Sequence, residues 1–158
     1  MDAIAFSMAG HVRGKQRPRA TVRFGRATIY TPTETRIYER TIRETARVMM
    51  EGKPPLQGAL SVSLRLRLQP PASMSKRLRA AVLAGETPYL GRVDCDNGAK
   101  SVLDALNGVC WVDDNQIVRL WITKVPAERP GIDIRIEALE PQQTEPLEEL
   151  TDDRLLVE

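Results

Sequence analysis

The densest group of residues able to do chemistry in this 158-residue chain is Asp94-Cys95-Asp96-Asn97, followed by Lys100 and then by Asp113-Asp114. In an extended segment, Asp94 and Asp96 point to one side and Cys95 to the other. Cys95 then packs inward, and two carboxylates share one patch. Lys100 lies four residues after Asp96, on the same flank of the helix that starts here. A tight return from that helix is expected to bring Asp114, at a strand junction, back beside the first pair. Clustered carboxylates repel unless a cation neutralises them. An all-oxygen set suits Mg²⁺, with Mn²⁺ as a substitute, because these ions keep several waters and take phosphate oxygens as remaining ligands. Such an ion activates water and stabilises the leaving oxygen of a phosphodiester. A neighbouring ammonium adds positive charge as the pentacovalent transition state develops. The pattern is therefore suited to metal-assisted phosphodiester hydrolysis. The same residues also suit plain structural roles: Asp94 or Asp96 as a helix cap, and Asp113-Asp114 as a turn. Asp104 reads as a structural partner of Lys100, one helix turn away.

Other chemistries fail on inspection. A calcium loop counted from Asp94 would need glycine and glutamate where Ala99 and Ala105 stand. Gly10 to Gln16 is one residue too short between its glycines for a phosphate loop, and Gln16 stands where Ser or Thr should follow the lysine. His11 is the only histidine, so it has neither a zinc-site partner nor a catalytic triad, and reads as a loop residue. Cys95 and Cys110 are too few for a disulfide framework or a zinc site, and point to a reducing compartment, the cytoplasm. Aromatics at 4% are thin for a binder of single strands built on stacking platforms. Tyr30, Tyr38, Trp111 and Trp121 fall in strand or helix patterns and are expected in the core.

Charge is unevenly spread. Residues 140–158 hold seven acids and one base, net −6, which leaves +8 on residues 1–139 of a chain whose total is +2. From Gly10 to Ala27 there are six basic residues and no acid. A basic body fits a polyanionic partner, and Lys15, Arg17, Arg19, Arg23 and Arg26 are the candidate phosphate contacts. The domain is expected over 1–139, followed by an acidic tail. A composition 42% hydrophobic and 28% charged excludes global disorder, and no apolar run approaches the roughly 20 residues of a membrane span.

The elements that must position these groups read as follows. Ile4, Phe6 and Met8 predict a strand, Gly10 to Pro18 a loop, and Thr21 to Tyr30 a hairpin turning near Gly25. Thr31-Pro32-Thr33-Glu34 predicts a helix start, with Thr31 as cap, Pro32 at the first position and Glu34 closing a capping box. Gly52 and Pro54-Pro55 stop that helix. Leu60, Val62, Leu64, Leu66 and Leu68 alternate with polar residues in the clearest strand of the chain. Ser73 or Ser75 caps a short helix ended by Gly85. The next helix starts at Asp96 or Asn97, buries Ala99, Val102, Leu103 and Leu106, and ends at Asn107-Gly108. Val109–Val112 and Ile117–Val125 read as strands around the turn Asp113-Asp114-Asn115. Ile132, Ile134, Ile136 and Ala138 form the inward face of a last strand, and a frayed helix near Leu147–Leu155 is the most the tail can hold. The fold class expected is α+β: one domain, a mixed sheet with helices packed on it.

The block Asp94-Cys95-Asp96-Asn97, Lys100, Leu103-Asp104-Ala105-Leu106-Asn107-Gly108 and Asp113-Asp114-Asn115-Gln116-Ile117 resembles the signature of RusA-type Holliday junction resolvases. The run Gly14-Lys15-Gln16-Arg17-Pro18-Arg19, followed by Tyr30-Thr31-Pro32, is similar to phage-borne members. The likeness spans roughly residues 3–139. It implies an α+β homodimer that binds branched DNA such as four-way junctions and cuts two strands symmetrically with Mg²⁺. The products implied are ligatable 5′-phosphate ends, made with no nucleotide cofactor and no membrane, in recombination and repair. Asp94, Asp96 and Asp114 match the family's metal-binding aspartates, and Lys100 its essential lysine. The register at Asp113-Asp114 allows a slip by one. Gly98 departs from the pattern, where a larger apolar residue is common, and so does the acidic tail. A twofold dimer suits a four-way junction, whose near-twofold symmetry offers one site to each opposed strand. Two rivals differ in class: a non-catalytic DNA-binding protein, and a partner-binding protein whose acidic tail does the work.

Overall fold

A strand that alternates as strictly as Leu60 to Leu68 needs a cover for its apolar face and a neighbour on each side. Both are present in the computed structural model, which describes residues 3–140, the Arg23 side chain excepted. In chain order the elements are β1 (Ala3–Ala9), β2 (Arg19–Arg23), β3 (Arg26–Tyr30), α1 (Thr33–Met50), β4 (Leu60–Leu68), α2 (Lys76–Leu83), α3 (Cys95–Leu106), β5 (Ile117–Pro126) and β6 (Gly131–Ala138). The main sheet has the order β1-β6-β4-β5, and β2 and β3 form a separate hairpin. β6 is antiparallel to both β1 and β4, while β5 is parallel to β4. The fold is α+β on a mixed sheet.

A parallel pair needs a crossover, and α3 supplies its return leg. Helices α1 and α3 pack on each other and on one face of the sheet. Ile42 and Ala46 of α1 and Val102, Ala105 and Leu106 of α3 are fully buried there, against Val62 and Leu66 of β4 and Ile132 and Ile136 of β6. The opposite face carries no helix. It bears a shallow depression lined by Ser7, Ser63, Arg65, Trp121, Thr123 and Arg135.

Several local expectations are corrected. Helix α1 has Pro32, not Thr31, at its cap position, with no side-chain cap bond. Glu34 pairs with Arg13 at 2.5 Å instead of closing a capping box. Helix α3 starts at Cys95, with Asp94 as cap residue, so it begins ahead of both Asp96 and Asn97. Residues 109–112 form no strand; Trp111 makes only isolated bridges, to Leu56 and Asn107. Trp121 and Tyr30 are 67% and 44% exposed, not core, whereas Tyr38 and Trp111 are buried. The hairpin turns where expected, through Phe24 and Gly25 with φ of 51° and 72°. Two successive positive φ values mark the tight turn that matches strand twist. Among the described residues no helix is long and apolar enough to cross a membrane. The frayed helix expected near Leu147–Leu155 lies outside the described residues.

Candidate active site

The crossover decides where each acid stands. The chain leaves the C-terminal end of β4, and α3 then runs back toward the N-terminal end of β5. Asp94 is extended at φ −72°, ψ 147°, and its carbonyl accepts the Gly98 N–H at 2.9 Å. Its carboxylate makes no cap bond. Asp96 lies in the first turn, where the helix dipole favours negative charge. Lys100 follows one turn later. Asp94, Asp96 and Lys100 are exposed, and their charged groups have no hydrogen bond or ion pair among the described residues. The alternation expected of an extended Asp94–Asp96 does not hold, because Cys95 and Asp96 are already helical. Cys95 is half-buried rather than packed inward.

Gly98 sets the depth of this turn. A Cβ there would stand 2.9 Å from Leu66 Cδ1 and 3.0 Å from Val93 Cγ1. The absent side chain lets α3 settle directly on β4, which explains this departure from the family pattern. The basic segment is laced to the same turn. The Lys15 N–H donates to the Asn97 carbonyl at 3.1 Å, and Gly14 lies so close that a Cβ would be 2.7 Å from Asn97 Nδ2.

Lys15 is half-buried and already engaged within the chain. Its ammonium pairs with Asp104 and, at 3.4 Å, with Glu39. Burial by itself lowers the Lys15 pKa; the hydrogen bond and charge of Asp104, with those of Glu39, outweigh it and hold the pKa above the usual 10.5. Asp104 therefore pairs with Lys15 and not with Lys100. Arg43 of α1 adds bonds to the carbonyls of Asp104 and Ala105, at 3.1 and 3.2 Å, near the C-terminus of α3. Arg17, Arg19 and Arg26 are exposed. Glu39 and Arg43 escaped the sequence reading, since helical spacing alone marks them as solvent-facing residues of α1.

Asp113 and Asp114 stand on a single 3₁₀ turn before β5. The Asp113 carboxylate accepts the Asn115 N–H at 2.9 Å, and Gln116 closes a capping box with it. Asp114 is half-buried, and its Oδ1 accepts the indole N–H of the buried Trp111 at 2.7 Å. The tight return leads here, to the far end of α3, not back beside Asp94. The 12 residues of α3 measure about 18 Å. The start of α3 is marked by Val93, whose carbonyl accepts from Lys124 Nζ at 3.1 Å. Ile117 to Lys124 along β5 spans roughly 23 Å. Both rulers separate Asp114 from Asp94 and Asp96. Among the described residues, no group of three or more His, Cys, Asp or Glu side chains could hold a metal ion. A three-carboxylate cation site does not fit within one chain.

Fold and site define a class: an α+β protein whose crossover helix opens on two unpaired carboxylates and a lysine, with a basic segment stitched to its first turn. Residues 9–137 match the family model described as Endodeoxyribonuclease RusA. The chain belongs to that family, the RusA-type Holliday junction resolvases, and so to the endonucleases. It is also similar to the uncharacterized protein YqaN of Bacillus subtilis (strain 168), with 28% identity over 140 residues, covering 86% of this chain and 96% of that protein.

Proposed function

We propose that the protein is a Mg²⁺-dependent, structure-selective endonuclease. It acts as a homodimer on four-way junctions and other branched DNA, making paired symmetric nicks that leave 5′-phosphate ends, in recombination and repair. The observation that carries this reading is the unpaired set Asp94, Asp96 and Lys100 at the first turn of α3, in a chain of this nuclease family. The helix dipole accounts for a charge at Asp96, but the Asp94 carboxylate makes no cap bond and no acid or ammonium of this set is paired among the described residues.

The chain's own groups divide the work. Asp94, Asp96 and Asp114 are the carboxylates offered to the cation, for which Mn²⁺ is a substitute. Bound, the ion supplies charge neutralisation and an activated water. Lys100 places an ammonium near the phosphoryl oxygens, where charge develops. Arg17, Arg19, Arg23 and Arg26 bind the DNA backbone, and Lys15 holds their segment against α3. The two free cysteines suit the reducing cytoplasm.

Labelled four-way junctions and linear duplex, incubated with Mg²⁺ and with EDTA, test the proposal. The expected result is paired nicking of junctions, absent with EDTA and weak on duplex. One observation favours a second reading, a junction-binding protein without turnover: the acids of a single chain do not converge. Salt-dependent junction binding with no cleavage in Mg²⁺ or Mn²⁺ would establish that reading instead.

A further inference from the structure

We infer that the β2–β3 hairpin ends in a wedge: Phe24 at its tip stacks on the bases laid open at a branch point, and so distinguishes a junction from duplex. The inference rests on the proposed structure-selective function and gives that function a specificity-determining residue.

The first observation is the tip. Phe24 is fully exposed, and its φ of 51° lies in the left-handed region. Both are unfavourable for a bulky aromatic, and a two-residue turn of this kind favours Asn or Gly at its centre. Gly25 follows that rule and Phe24 breaks it. A ring open on every side gains nothing from the fold in return. The two strands are hydrogen-bonded to each other and to no strand of the main sheet, and every residue of β3 is exposed. Strain of this kind, kept without a structural gain, marks a contact made outside the chain.

The second observation is the chemistry of the ribbon behind the tip. The register sets Arg19 opposite Tyr30, Thr21 opposite Thr28 and Arg23 opposite Arg26. Those six positions share one face, and all their residue types donate hydrogen bonds to phosphate. Ala20, Val22, Ala27 and Ile29 take the other face, with Val22 and Ile29 69% and 74% exposed. Like charges set opposite each other are unfavourable in a bare ladder and become favourable around a phosphate. No acid stands between Ala3 and Thr33. The complement of such a ribbon is a polyanion that also offers apolar faces. DNA is both wherever its stack is broken.

Position joins the tip to the chemistry. The Lys15 N–H is bonded to the Asn97 carbonyl, one residue beyond Asp96, and the ribbon follows from there. Phe24 comes nine residues after Lys15, at most roughly 31 Å of extended chain. One turn of duplex is about 34 Å, so a single junction arm reaches both the tip and the first turn of α3. Within duplex, a ring enters the stack only by forcing a base step apart. At a branch point the stack is already interrupted. The ring therefore adds affinity for a junction and little for duplex, while arginines on phosphates hold both alike.

The test measures binding by the full chain in EDTA, on a four-way junction and on linear duplex of matched sequence. Wild type, Phe24→Ala and Phe24→Trp are compared. Phe24→Ala should lose about 10- to 100-fold in junction affinity, with duplex affinity and circular dichroism unchanged. Phe24→Trp should keep the junction preference, and its added indole emission should be quenched by junction and not by duplex. An undiminished junction preference in Phe24→Ala, an equal loss on both DNAs, or an indole equally bright on both would each overturn the wedge. So would a Phe24→Ala protein that sediments as a smaller species than wild type, since the tip would then be a contact with another chain. None of these readings needs cleavage. If Phe24→Ala loses the junction preference of a protein that cuts nothing in Mg²⁺, the wedge stands and the nuclease reading falls. If Phe24→Ala binds and cuts junctions as wild type does, the wedge falls and the nuclease reading stands. A wild type with no preference for junctions would end both the wedge and the structure selectivity.

Discussion

At the residue scale, what separates Lys100 from Lys15 is company. Lys100 has no anionic partner among the described residues, whereas Lys15 has two. Their substitutions should therefore fail in different ways. Asp94→Asn, Asp96→Asn and Asp114→Asn should each reduce junction cleavage more than about 100-fold while binding persists, since the Arg side chains hold the DNA. Lys100→Ala should lower turnover at saturating protein, by on the order of 3 kcal/mol of transition-state stabilisation, more than affinity. Gel shifts and single-turnover cleavage on one junction separate the two effects. Lys15→Ala should instead destabilise the fold by about 1 kcal/mol, seen as a lower urea midpoint, because it strands Glu39 beside Asp104. It should leave the slope of log K against log salt near wild type. Arg17→Ala with Arg19→Ala should flatten that slope by roughly two units. A Lys15→Ala protein as stable as wild type but with a flattened slope would restore Lys15 to the phosphate contacts. Local spacing pairs Asp104 with Lys100, four residues away. The partner it finds is 89 residues away in the chain, and no periodicity reports that.

At the scale of elements, α3 packs so low on β4 that its first turn has no room for a side chain at Gly98. Gly98→Leu, the direction of the commoner family residue, should push α3 off Leu66 and Val93 and cost about 1–3 kcal/mol. Urea unfolding followed by circular dichroism measures it, and an unchanged midpoint would mean that the turn repacks freely. Much of this layer is legible in the sequence. Strict alternation marks β4 and β6, the stripe Ala99, Val102 and Leu106 marks α3, and Gly25 marks the hairpin turn. Direction is not legible. Nothing in the residues of β5 says that it runs parallel to β4, yet that choice turns α3 into a crossover and sends Asp114 to its far end. The start of α3 was also hidden, because Asp94, Asp96 and Asn97 are all good caps and the chain uses the first. Trp121 looked like core for a related reason: a β-strand aromatic is buried only if its face is covered, and this face of the sheet carries no helix.

At the scale of the whole molecule, three groups tied to the helical layer respond to alkali in the same direction. Burial pushes the Cys110 thiol from 9.0 up to about 11. Burial pushes the Tyr38 phenol from 10.0 up to about 12, against a smaller opposing pull from Arg13. Both groups are neutral when protonated, and the fold favours that form. Below about pH 9 neither weakens the fold, since folded and unfolded chains are both protonated. Above each ordinary value the unfolded chain releases a proton that the folded chain retains. Each group then subtracts about 1.4 kcal/mol per pH unit until its folded pKa is reached. Lys15 adds to this with the same sign. Its folded pKa is raised, so its pairing contributes fully below 10.5 and is lost as the pH rises through the raised value. Stability should therefore be level from neutral pH to about 9 and fall steeply through the window from 9 to 12. Urea midpoints at fixed protein concentration, taken at pH 7, 9, 10 and 11, test this, and Cys110→Ala should delay the onset by about one unit, to the ordinary tyrosine value. A wild-type midpoint unchanged at pH 11 would mean that these groups are hydrated in the native protein. The helical layer over β4 would then be looser than its burial implies, and α3 a less rigid support for the carboxylates at its mouth.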